Sequence, residues 1–295
     1  MQKLQNIVIC FADISIGFRF PSEIKVPREF KEFLIEEKAD IDAEYEVRLL
    51  EKPLRLSGIP VSSYSVMQVY PTEEGVLRNY TPLTEKDGCQ VACLLRKNQK
   101  HTLYYPVNKW DYYSQELHLL HLIGIEEVLI RHQALLLHSS VVKLGEHTVL
   151  FSGPSGIGKS TQAKLWETHL GAKIINGDRC VIRKKENAFW GSGSPWCGTS
   201  GIYSNEQAPI KGIFILKQAS VNRVRRLGIE AFKALYSQCV VNTWDRTFME
   251  QLTELLTGLL ESVPVYELAC RPDQEAVELA YQTLFEGGTP DGSKD

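Results

Sequence analysis

Neither sign of charge is in surplus in this sequence: 33 basic against 36 acidic side chains leave a net charge of −3. A chain so balanced has no excess of cations to neutralise a phosphodiester backbone or to grip an anionic membrane, so neither nucleic acid nor membrane is expected as a partner. Long apolar runs are missing as well. No stretch approaches the roughly 20 apolar residues of a spanning helix. The opening MQKLQNIVICFADISIGF is broken by Asp13 and followed by no small-residue cleavage site. It reads as neither a leader nor an anchor, and a cytoplasmic location is expected. Cysteines are few and odd in number, seven in all, set in apolar text such as NIVICF and YSQCVV. That pattern reads as reduced, partly buried thiols. Cys89 and Cys93 lack the second ligand pair that a tetrahedral zinc site needs. No internal repeat stands out.

What is present divides by grammar. At 295 residues the chain can bury one large core or two medium ones. From residue 5 to about 106 short alternating or β-branched runs dominate (IVICF, ISIGFRF, EVRLLE, YSVMQVY, GVLRNYT, QVACLLR, HTLYYPV). They predict antiparallel strands and a mostly-β module over residues 1–110. PREFKEFLIEE interrupts them with helical spacing, with Phe30, Phe33 and Leu34 on one face. Residues 111–133 read as a connecting helix capped by Ser114. It carries His118 and His121, which are either two metal-facing imidazoles or, with no third ligand nearby, plain surface or packed histidines. From 134 to 286 the order strand, strand, glycine-rich loop, helix, strand, with later helices read through EAFKALYSQCV, FMEQLTELLTGLLESV and DQEAVELAYQTLF, predicts an α/β domain, a mixed sheet with flanking helices. Residues 287–295, GGTPDGSKD at their core, predict a disordered tail.

The most informative segment is Gly153-Pro-Ser155-Gly156-Ile157-Gly158-Lys159-Ser160, which satisfies G-x-x-x-x-G-K-[ST] between the apolar strand TVLFS and the helix KSTQAKLWETHL. Each residue type has a task in holding ATP. The glycines bring backbone N–H donors against phosphate oxygens, and the following helix adds its positive end. Lys159 neutralises the β and γ phosphates, Ser160 can ligate Mg²⁺, and Thr161 falls near the α phosphate. A plain glycine-rich turn would leave the lysine without a purpose. Phosphoryl transfer also needs a carboxylate for metal or for the nucleophile's proton, sited where the next parallel strand ends. AKIING ends at Gly177 and Asp178 follows, which makes Asp178 the leading acid, base or Mg²⁺ ligand, with a simple turn aspartate as the alternative.

With these residues in hand, LLLHSSVVKLGEHTVLFSGPSGIGKSTQAKLW followed by INGDRCVI resembles the catalytic domain of HPr kinase/phosphorylase and its relatives, closely over about 134–185 and more loosely to 285. In that family a histidine precedes the loop and a short acidic motif with arginine follows the next strand. His138, the Gly153 to Thr161 loop and Asp178-Arg179 stand at those positions. GSPWCGTSGIYSNEQAPIKGIFIL resembles the looser kinase-like members of the superfamily, which places it near the site by resemblance. Two departures accompany the likeness: Gly177 replaces the first of two adjacent aspartates, and neither the later glycine-rich signature nor the basic loop with clustered prolines is present.

The remaining candidates each carry two readings. His138 either orients Asp178 and assists proton transfer or is a hydrogen-bonded core residue. Glu206 either supplies the carboxylate that Gly177 lacks or is an exposed loop residue. Arg179, Arg246 and Arg271 can screen phosphate charge, Arg179 from the best position. Trp196 and Trp244 either stack on a ligand or pack between layers. The expected activity is an ATP- and Mg²⁺-dependent kinase acting on a hydroxyl, serine or threonine of a peptide or protein. The alternative is a nucleotide-binding recognition module with little catalysis. A carboxykinase fits less well, for want of a manganese-binding lysine and histidine set. The resemblance also implies a homo-oligomer as one option.

Overall fold

The computed structural model describes residues 4–287 apart from 23–24, 37–39, 53, 55, 65, 81–90 and 108–121. The chain forms two compact units, Met1–Val128 and Leu129–Asp295.

The first unit is built on a nine-stranded sheet with the order β3-β1-β2-β4-β9-β8-β7-β6-β5. Its strands are β1 (Leu4–Phe11), β2 (Ile14–Pro21), β3 (Leu34–Ile35), β4 (Ala43–Leu50), β5 (Ser62–Tyr64), β6 (Met67–Pro71), β7 (Gly75–Tyr80), β8 (Val91–Arg96) and β9 (Lys100–Pro106). The expected strands are there, but the pairing is mixed rather than antiparallel: β2 runs parallel to β4, and β4 parallel to β9. Both pairs join strands that are far apart in sequence, and strand patterning carries no information about such partners. The helix expected at PREFKEFLIEE is a single 3-10 segment, Arg28–Phe33, followed by β3. Phe30 and Phe33 are buried as expected, whereas Leu34 turns outward. An aromatic stack of Phe20, Phe18 and Tyr45 fills the core beneath. Arg78 is held there by Glu126 at 2.6 Å and Glu127 at 3.2 Å. Stripping one partner from a pair this buried would leave an uncompensated charge.

The connecting helix expected over 111–133 lies outside the described residues as far as 121, as do Ser114, His118, His121, Cys89 and most of the tail. Its described part is broken at Gly124, which takes φ 59°, and resumes as α1 (Ile125–Arg131).

The second unit is a mixed α/β layer structure. Its strands are β10 (Ala134–Leu144), β11 (His147–Ser152), β12 (Lys173–Asn176), β13 (Arg179–Lys185), β14 (Ala188–Ser192), β15 (Gln207–Gln218), β16 (Arg223–Arg226) and β17 (Val265–Cys270). Its helices are α2 (Lys159–Leu170), α3 (Glu230–Tyr236), α4 (Arg246–Ser262) and α5 (Gln274–Phe285). β11 lies parallel to β15, and β15 parallel to β17. These central strands read as unbroken apolar runs because both faces are covered. On one face Phe151, Trp166, Phe214, Val277 and Leu284 pack α2 and α5 against the sheet. On the other, Leu150, Ile213, Leu235, Leu252 and Leu259 pack α3 and α4. α4 and α5 start where the sequence offers caps: Asp245 accepts from the Phe248 amide and Asp273 from the Ala276 amide.

Two expectations for this unit need correction. The helix read through EAFKALYSQCV stops at Tyr236, and Cys239 instead bridges to Leu137. β12 is not the neighbour of β11: both pair antiparallel with β10, one on each side of it. The two strands still point the same way, so their carboxyl ends share one edge of the sheet.

Candidate functional site

The loop leaves β11 at Ser152 and enters α2 at Lys159. Gly156 and Gly158 take φ 78° and 117°, and open space lies where a side chain would stand on either. Only glycine adopts such angles freely while leaving the amides uncovered. Gly158 caps α2 with no side-chain acceptor, so the first-turn N–H groups remain directed at whatever occupies the cleft. Lys159 folds back over the loop, and its Nζ donates to the carbonyls of Gly153 at 3.0 Å and Pro154 at 3.1 Å. Burial lowers its pKa; the nearby Asp178 carboxylate pulls the other way, and Arg179 adds to the lowering. An anion in the cleft would relieve that destabilised charge.

Asp178 faces the loop from the end of β12. Three residues of β10 hold it there. His138 Nε2 lies 3.2 Å from Asp178 Oδ1, the Ser139 amide donates to the Asp178 carbonyl at 3.0 Å, and Ser140 Oγ donates to the Gly177 carbonyl at 2.9 Å. Asn176, fully buried, completes the turn. Its Oδ1 accepts from the amides of Asp178 and Arg179 at 2.9 and 2.8 Å, and its Nδ2 donates to the carbonyls of Ser194 and Trp196. Burial alone would raise the Asp178 carboxyl. The hydrogen bond from His138 and the charges of Arg179, His138 and Lys159 outweigh it and hold the group below the usual carboxylate range. The carboxylate is therefore ionised at neutral pH and able to accept a proton or bind a cation.

These groups line one cleft of about 280 Å³: His138, Ser155, Gly156, Gly158, Lys159, Ser160, Thr161, Gly177 and Asp178, joined by Thr199 and Ser200. Gly153 and Ile157 complete the loop behind it, and Arg179 sits with its Nε 3.4 Å from Asp178 Oδ2. Glu206 stands elsewhere, between Lys143 at 3.1 Å and Lys173. The Lys173 hydrogen bond, against the upward pull of burial and with Lys143 assisting, lowers its pKa. Arg246 pairs with Glu250 on the surface, and Arg271 with Asp273 and Glu275. Trp196 is fully buried and packs, and Trp244 is half-buried in the turn before α4. Burial pushes the thiols of Cys93, Cys180 and Cys239 up to about 12, which makes them inert.

Among the described residues no group of three or more His, Cys, Asp or Glu is arranged to hold a metal. Magnesium in nucleotide sites is commonly held by one or two protein oxygens together with substrate phosphates. Ser160 and Asp178, both on the cleft, are the oxygens that would hold it. When bound, the cation would neutralise charge developing on the phosphates.

Sequence reasoning missed Asn176 and, although it set their segment near the site by resemblance, singled out neither Thr199 nor Ser200. Signals existed for all three: asparagine two residues before the aspartate is an Asx-turn pattern, and GTSG is a glycine-bracketed turn. The glycine at 177 also acquires a reason. A side chain there would run into the Ser200 Oγ and Cβ, so the space beside Gly177 is taken by a hydroxyl-bearing turn.

No protein-family model matches the chain, and no curated protein matches it. Among solved structures, the HPr(Ser) kinase/phosphatase from Coxiella burnetii is similar at 14% identity and a TM-score of 0.30, over 52% of this chain and 88% of that one. A likeness of this size leaves function to the geometry of the cleft. Among the described residues no helix is long and apolar enough to cross a membrane.

Proposed function

We propose that the chain binds ATP with Mg²⁺ on the Gly153–Ser160 loop and transfers the γ-phosphoryl group to a hydroxyl, that of serine or threonine in a peptide or protein. One observation carries the reading: Lys159, Ser160, Asp178 and His138 converge on a single cleft at the carboxyl edge of the parallel strands. That edge is where α/β sheets bind ligands. In this reading the loop amides and Lys159 hold the phosphates and offset charge on the leaving group. Asp178, oriented by His138, accepts the acceptor's proton. The fold that goes with this reading is a divergent relative of the HPr kinase type.

Replacing Asp178 with alanine should lower phosphoryl transfer by about 10²–10⁴-fold, the usual worth of a general base, while ATP binding survives. Full transfer activity in that variant would sink the assignment. A second reading, a nucleotide-binding recognition module, is favoured by the Ser200 turn standing where the family carries a carboxylate. ATP binding without transfer to any hydroxyl acceptor would establish it instead.

A further inference from the structure

Two hydroxyls in the cleft belong to neither the loop nor the Asp178 turn. Thr199 and Ser200 stand in one 3-10 turn, Gly198–Ser200, with Gly198 and Gly201 at φ 55° and 63° on either side. The turn presses on the carboxylate. A methyl group at Gly198 would lie 2.7 Å from Asp178 Cγ and 2.9 Å from Oδ2, so glycine alone permits the backbone to come this close. The next residue is Thr199, and the chain has therefore delivered a hydroxyl-bearing side chain to the neighbourhood of the one ionised carboxylate lining the cleft.

The two hydroxyls are not equivalent. Ser200 is committed to the turn: its Oγ donates to the Cys197 carbonyl at 2.5 Å and accepts from the Ile202 amide at 3.2 Å. Thr199 is exposed and is tied down by no hydrogen bond among the described residues, yet it lines the same cleft as Lys159 and Ser160. What it contributes is a hydroxyl nucleophile to the lining of the cleft, next to the glycine that closes on Asp178.

We propose that Thr199 is an intramolecular phosphoryl acceptor. The proposal rests on the ATP-dependent transfer argued above. Thr199 Oγ1 forms a bond to the γ phosphorus of ATP, the bond from that phosphorus to the β–γ bridging oxygen breaks, and ADP leaves with the electron pair. The hydroxyl proton passes to the Asp178 carboxylate. Asp178 then releases that proton to solvent, and the product, a phosphothreonine of nearly two negative charges, shares the cleft with an ionised carboxylate that it repels. With Ser200 committed to the turn, Thr199 is the one acceptor this turn offers, and the modification is one group per chain.

The test is incubation of the full chain with ATP and Mg²⁺, followed by intact-mass measurement and peptide mapping, with ATP binding measured in parallel by calorimetry. The expected result is a single phosphoryl group on Thr199. It should be absent in Lys159→Ala and Thr199→Val, present on the new serine in Thr199→Ser, and formed with a first-order rate constant that does not change on diluting the protein, as an intramolecular step requires. Because Thr199 is exposed, both of its variants should keep the wild-type melting temperature. Transfer to an added serine peptide with no phosphate on Thr199 overturns this proposal and leaves the kinase reading standing. ATP binding with no transfer to either overturns both, as does the absence of ATP binding. A rate that rises with protein concentration also overturns the intramolecular step.

Discussion

Single residues decide how this cleft differs from the pattern it resembles. Gly177 occupies a place where a second aspartate is expected by resemblance, and the Ser200 side chain fills the space that such an aspartate would need. Gly177→Asp should therefore not restore an acidic pair; it should lower the melting temperature, and Gly177→Asp combined with Ser200→Gly should recover most of the loss. Thermal unfolding of the three proteins checks this. Asp178 makes a pH prediction with a definite sign. Its folded pKa is depressed, so its contribution to stability is complete above the unfolded carboxylate value, about 4, and is lost as pH falls through the folded value. Melting temperatures measured from neutral to acid pH should decline less steeply for Asp178→Asn than for the wild type. An unchanged slope would mean that His138 and Arg179 do not hold the charge as described.

At the scale of elements, legibility followed the range of the signal. The β11, loop and α2 unit was readable because strand, glycines, lysine and helix are contiguous. α4 and α5 were readable from their amphipathic text, and the structure adds the caps Asp245 and Asp273 directly before it. Asp245→Ala should cost about 0.5–2 kcal/mol, the usual worth of such a cap, measurable by denaturant unfolding. What could not be read is non-local. Nothing in AKIING says that β10 rather than β11 will be its partner, and nothing in EVRLLE or HTLYYPV says that these two strands will run parallel. The site divides the same way. The loop and Asp178 were visible as motifs, whereas Asn176 has only a local turn signal in the sequence and gains its other partners when the fold brings residues 194–196 to its amide. Glu206, attractive in sequence as a spare carboxylate, is held by two lysines that only the sheet brings to it.

For the molecule as a whole, the balanced charge and the two compact units leave one place among the described residues where a loop built for an anion, a buried lysine and an ionised carboxylate meet. Ligand binding there must appear as global stability, because a nucleotide that binds only the folded state at about 100 times its dissociation constant adds about 2.7 kcal/mol. Melting temperature should accordingly rise with ATP and Mg²⁺ and respond less to adenosine, which lacks the phosphates. The most direct test of the central claim is calorimetric titration of ATP with Mg²⁺ into the wild-type chain and into Lys159→Ala. Saturable binding by the wild type that is lost or greatly weakened in the variant is the predicted result; equal binding by the two proteins, or none by either, would contradict the placement of the phosphates on this loop.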